Sequence, residues 1–128
     1  MRRWRNGNLK NRVVITGMGA VTPIGNSVSK MWNSVKEGQC GIGPITRLST
    51  QNRKVKLAAE VKDFHPEEVL DPRDIRKMDL YTQYAMVAAA EAMADSEINL
   101  EETDLEQFGV IVASGIGGLG TIEKDFQV

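Results

Sequence analysis

Cys40 and His65 are the one thiol and the one imidazole of this 128-residue chain. A catalytic thiolate needs a neighbouring base or a helix N-terminus to lower its pKa. Cys40 instead follows a predicted helix C-terminus at Gly38, where the dipole disfavours a thiolate. His65 lies just before Pro66 in a predicted turn, a place suited to a loop role. One Cys and one His also fall short of the usual ligand count of a metal site. The chain therefore carries no self-sufficient catalytic constellation, and nothing in it calls for a metal or cofactor.

The glycine loops are the next candidates for chemistry. Val13, Val14 and Ile15 form a continuous apolar run, which suits a strand buried on both faces. Gly17 and Gly19 allow close backbone approach, and Pro23 and Gly25 punctuate the loop that follows. A dinucleotide fingerprint would need a third glycine where Thr22 stands, and Pro23 occupies the expected helix start. No acidic residue ends a second strand about twenty positions on. Ser114-Gly115-Ile116-Gly117-Gly118 lacks the Lys-Ser/Thr of a phosphate-binding loop, and its Ser precedes the glycines, unlike a nucleophile elbow. A stand-alone nucleotide-binding module is thereby disfavoured.

Arg73, Arg76 and Lys77 stand at i, i+3 and i+4, one face of a helix. Such a face suits either an acidic partner or plain solvation with pairs to Asp71 or Asp74.

These residues need elements to hold them. Val28, Met31, Trp32 and Val35 mark an amphipathic helix, capped by Asn26 or Ser27 and closed at Gly38. Gln39 to Pro44 reads as loop. Val55, Leu57, Ala59 and Val61 alternate with other residues, predicting a strand with one buried face. Pro66 suits a first helical position. Asp71-Pro72 is a stronger start signal, with Asp at the cap and Pro in the first turn. From Asp79 to Ser96 an Ala-rich core helix is predicted, able to pack closely against a neighbour. Gly109 to Ala113 reads as a second buried strand, and Thr121 as the cap of a helix over Ile122 to Phe126. The strands near residues 12–16 and 109–113 are expected in one sheet against the helix Tyr81 to Ala94. A buried strand opening through glycines into a helix gives an α/β fold.

Composition narrows the classes further. A formal net charge of −1 offers nucleic acid or an anionic membrane no special attraction. No apolar stretch is long enough to span a bilayer. Residues 1–11 read as a basic N-terminal tail without the apolar core of a secretory signal. A lone cysteine excludes an internal disulfide framework and fits a cytoplasmic location.

Val13 to Gly25 resembles the opening of the elongating, type II β-ketoacyl-[acyl-carrier-protein] synthases. Trp32 to Ile42, Arg76-Lys77-Met78-Asp79 with Gln83-Tyr84-Ala85, and Gly109 to Gly120 resemble further family blocks in the same order. The pattern is nearest the synthase II branch, with polyketide ketosynthases and chain-length-factor-like partners as alternatives. The resemblance implies a thiolase-like, α-β-α-β-α layered fold, of which residues 12–128 would be the beginning of the N-terminal half. It implies decarboxylative Claisen condensation of an acyl thioester with malonyl-acyl carrier protein in fatty-acid biosynthesis. The family's nucleophilic Cys and two His match neither Cys40 nor His65, so none of the catalytic residues is expected in this chain. The ending at Val128 reads as an interruption, and the chain itself is expected to be inactive. By the same resemblance, Arg73, Arg76 and Lys77 would dock acyl carrier protein, Ile116 would line the acyl pocket, and the whole protein would be a homodimer.

Overall fold

The computed structural model describes residues 13–126, so the basic tail expected over 1–11 lies outside the described residues. The first helix, α1, runs Val28–Lys36. Of the two candidate caps, Ser27 serves: its extended backbone lets the hydroxyl accept from the Lys30 amide. Gly38 closes the element at φ 68°, a left-handed conformation that costs glycine little. Met31 on the apolar face is half-buried, whereas Trp32 and Val35 remain exposed.

Two short strands follow. β1, Ile42–Pro44, pairs antiparallel with β2, Leu57–Ala59, in the register Ile42 opposite Ala59. The sequence reading placed β1 in a loop, because a three-residue strand containing Gly and Pro carries no periodic signal of its own. The alternation around β2 does mark a strand, but its expected buried face is corrected: Leu57 is exposed and Ala58 half-buried. The hairpin lies at the surface, with Leu57 58% exposed.

A 3-10 turn at Pro66–Glu68 leads to α2, Pro72–Ile75. Asp71 caps α2 by accepting from the Arg73 amide at 2.7 Å, and Pro72 takes the first position. The longest element is α3, Leu80–Ser96, and its expected core position is corrected: none of its residues is buried, because among the described residues only one of its sides is covered. A second 3-10 turn, Leu105–Gln107, precedes the irregular segment that leads to α4, Leu119–Phe126. The fourth helix starts before the expected Thr121 cap. Thr121 lies inside it, and its hydroxyl bonds the Asp79 carboxylate.

The glycine loop meets α3 directly. A Cβ on Gly17 would overlap the Ala92 carbonyl oxygen, and one on Gly19 the Ala88 carbonyl oxygen. Only glycine on one side, with small residues on the other, permits this approach. After the loop, Thr22 and Gly25 exchange backbone hydrogen bonds of 2.9 and 3.2 Å around Pro23. A tight turn thus occupies the place where a dinucleotide-binding helix would begin.

The sheet expected from 12–16 and 109–113 is not formed among the described residues. Val14 is 56% exposed and Ile111 98%, and neither segment pairs as a strand. A strand exists only when a neighbour takes its amides and carbonyls, and no described residue does so here. The β1–β2 ribbon is the one sheet among the described residues. No apolar side chain among them is fully buried.

Candidate functional site

The basic residues lie on α2 and the turn after it. The sequence spacing assumed one continuous helix, but α2 ends at Ile75. Lys77 and Met78 then donate to Asp74 and Ile75 carbonyls in i→i+3 fashion, at 2.9 and 3.3 Å. Arg73, Arg76 and Lys77 are all exposed on this helix and tightened turn. Arg73 pairs with Asp71 at 3.1 Å, with both groups largely in water. The Arg73 side chain and then its amide hold the Asp71 carboxyl below its ordinary pKa, while Asp71 raises that of Arg73. Neither Arg76 nor Lys77 has an ion-pair partner among the described residues. The turn is fastened to α3 by Gln83, whose amide donates to the carbonyls of Ile75 (3.2 Å) and Met78 (3.0 Å).

Ile116 occupies the other candidate segment. The Ser114 hydroxyl accepts from the Gly117 amide at 3.0 Å and closes the turn around Ile116, which is 71% exposed. Gly117, at φ 80°, faces the Tyr81 ring, and Gly118 abuts the Asp79 carboxylate. With the Thr121 hydroxyl also on Asp79, this turn sits on the N-terminus of α3. The structure therefore gathers both candidate segments at one end of α3: the basic turn leads into Asp79, and the Ile116 turn rests on it.

Cys40 and His65 occupy different clefts. Cys40 is exposed and lines a cleft of about 360 Å3 with Pro23, Gly25 and Lys62. His65 lines one of about 480 Å3 beside Asn26 and Glu68, its Nδ1 lying 3.0 Å from Glu67. The Glu67 carboxyl is held below its ordinary pKa by its own backbone amide first and by His65 second. Ile116 and the basic turn border neither cleft.

Three polar residues that fasten the structure, Glu91, Asp95 and Glu60, carry no signal in the sequence, and a fourth, Asn26, reads there only as a candidate cap. Glu91 accepts from the amides of Ala20 and Val28, both at 2.9 Å, tying the glycine loop and the start of α1 to α3. Asp95, one turn later, accepts from the Met18 amide at 2.9 Å. Their i, i+4 spacing puts both on the loop-facing side of α3. The Asn26 amide donates to the Lys62 and Asp63 carbonyls at 2.8 and 2.9 Å. Glu60 clamps the amides of Thr46 and Arg47 and the Thr46 hydroxyl, and that hydroxyl foremost lowers its pKa.

The family model for the N-terminal domain of β-ketoacyl synthases matches residues 10–127. A Coxiella burnetii protein named 3-oxoacyl-[acyl-carrier-protein] synthase 2 is 47% identical over 118 residues, 92% of this chain and 28% of its own length. The Staphylococcus aureus (strain COL) protein of the same name is 47% identical over 112 residues, 88% of this chain and 27% of its own. The chain thus spans little more than a quarter of these relatives. Among solved structures, the ishigamide ketosynthase/chain length factor aligns at TM-score 0.63 and 31% identity, over 70% of this chain and 22% of that one. A type II polyketide ketosynthase in complex with its acyl-carrier protein aligns at TM-score 0.69 and 24% identity, over 89% of this chain and 29% of that one. That second likeness bears on fold alone. The chain belongs to the β-ketoacyl synthase family, in its N-terminal, thiolase-like α/β domain.

Proposed function

We propose that the protein is a 3-oxoacyl-[acyl-carrier-protein] synthase that elongates acyl chains in fatty-acid biosynthesis. The 47% identity to proteins of that name, over 92% of the chain, carries this reading. The reaction moves an acyl group onto a Cys; malonyl-carrier protein then loses carbon dioxide, and the carbanion attacks the acyl thioester. It needs an activated thiolate, donors for the developing oxyanion and imidazoles beside the enolate. Cys40 and His65 do not match the family's catalytic positions, so this chain contributes other parts.

In this reading the family domain begins near residue 12, and Arg73, Arg76 and Lys77 receive the acidic acyl carrier protein. The exposure of all three, and the absence of ion-pair partners for Arg76 and Lys77 among the described residues, support that role. Long basic side chains steer an acidic partner and fix its register on arrival. Ile116 lines the acyl pocket of the whole enzyme, which acts in the cytoplasm as a homodimer. The likeness to the ishigamide ketosynthase/chain length factor favours a second reading, a polyketide ketosynthase or its chain-length partner, at the lower identity of 31%. Assay of the full-length protein with acyl- and malonyl-carrier protein tests the proposal. Release of carbon dioxide with a 3-oxoacyl product two carbons longer supports it. Decarboxylation without acyl transfer would point to the non-elongating partner instead.

A further inference from the structure

Arg76 and Lys77 are exposed, and the residues on either side of them, Ile75 and Met78, are half-buried. The carbonyls of those two flanking residues share one donor. Gln83 gives its Nε2 to Ile75 at 3.2 Å and to Met78 at 3.0 Å. Both partners are acceptors, so only the amide nitrogen, with its two N–H groups, can serve them. Gln83 is itself half-buried in the first turn of α3, and its backbone amide donates to the Asp79 carbonyl at 3.1 Å. One side chain therefore brackets the Arg76-Lys77 dipeptide from both ends and ties it to the longest helix. Among the described residues, no other hydrogen bond joins this turn to α3. Arg73 differs: it lies on α2, before the bracket, and pairs with Asp71 at 3.1 Å.

We infer, on the reading that this face receives acyl carrier protein, that Gln83 is its positioning residue. It holds Arg76 and Lys77 in one arrangement, so that an acidic partner meets both cations together. Two cations already fixed in place lose less freedom on binding than two that must first be ordered.

In the full-length protein, Gln83→Met keeps the length of the side chain and removes both donors. KM for acyl-carrier protein should rise about threefold, as suits weakened exposed ion pairs, with kcat and small-thioester kinetics unchanged. Gln83→Leu, equally without a donor, should behave alike. In an Arg76→Ala, Lys77→Ala background Gln83→Met should have no further effect, because Gln83 acts through those two residues. In an Arg73→Ala background the rise should persist in full. A loss shared with small thioesters or an unchanged carrier KM would overturn the inference. So would a rise that persists without Arg76 and Lys77, or one that vanishes with Arg73. The Arg76→Ala, Lys77→Ala protein separates the two failures. If it leaves the carrier KM unmoved, the docking reading falls and the role of Gln83 falls with it. If it raises KM and Gln83→Met does not, Gln83 alone loses its role.

Discussion

Glu97 ends α3 in the left-handed region, at φ 53° and ψ 23°. A side chain there costs about 1–2 kcal/mol in the folded state, against the roughly 0.5–1 kcal/mol of extra freedom a glycine loses on folding. Glu97→Gly is therefore expected to stabilise the protein by about 0.5–1 kcal/mol, read as a raised urea midpoint at constant slope. No change, or a loss, would mean the Glu97 side chain makes a contact that offsets its strain. Ile116 carries a different expectation. If it lines the acyl pocket of the whole enzyme, Ile116→Phe should shorten the acyl chains accepted, because the ring fills space the substrate needs. Rates measured over a series of acyl lengths would show the shift; an unchanged preference would remove Ile116 from the pocket. At this scale the sequence was informative where a residue acts on its own neighbours, as Asp71 does at its cap. It was silent for Thr121, whose hydroxyl goes to Asp79 forty-two positions away, a partner that no local pattern reveals.

Among the elements, α1 was legible from helix period and a cap, and α3 from its alanine richness, whereas the sheet was not. The apolar runs 13–15 and 110–112 form no strand, because a strand is a relation between segments and no described residue pairs with them. β1 was missed for the opposite reason: it is paired, yet its three residues have no pattern. The packing of Gly17 and Gly19 on Ala92 and Ala88 was foreshadowed by glycines at one place and alanines at another. What fastens these elements is Glu91. Both its oxygens accept backbone amides, one from the glycine loop and one from the start of α1. Glu91→Gln keeps one acceptor and turns a donor toward the other amide, so about 2 kcal/mol of stability should be lost. Glu91→Ala should cost more. Hydrogen exchange at the Ala20 and Val28 amides would locate the effect, and a substitution that left both protected would show that Glu91 does not tie loop to helices.

At the scale of the whole molecule, the accessible surface of 11638 Å2 exceeds the roughly 6,700 Å2 expected for a folded monomer of this length. Much of the excess is apolar: Val13 is 92% exposed, Ile15 84%, Ile111 98% and Phe126 85%. Family and fold class were legible from ordered motifs. The exposure of both presumed core strands was not, because a buried pattern says what a residue needs and not whether a neighbour supplies it. Unpaired extended segments with apolar flanks promote association. The isolated 128-residue chain is accordingly expected to self-associate and to show no condensation on acyl- and malonyl-carrier proteins. Product made by purified chain, free of host synthase, would contradict that expectation.

The central claim is that this domain serves a carrier-protein-dependent synthase and presents Arg73, Arg76 and Lys77 to the carrier. The most direct measurement is the ratio of condensation rates with carrier-bound and small thioester substrates, in full-length protein carrying Glu at all three positions. Reversed charges repel an acidic partner and slow encounter, and salt screens that repulsion. The ratio should fall at least roughly tenfold at low salt, as for loss of electrostatic steering, and partly recover at high salt, with small-substrate rates near wild type. Equal loss with both substrates, or a ratio unmoved by the reversal, would contradict the account.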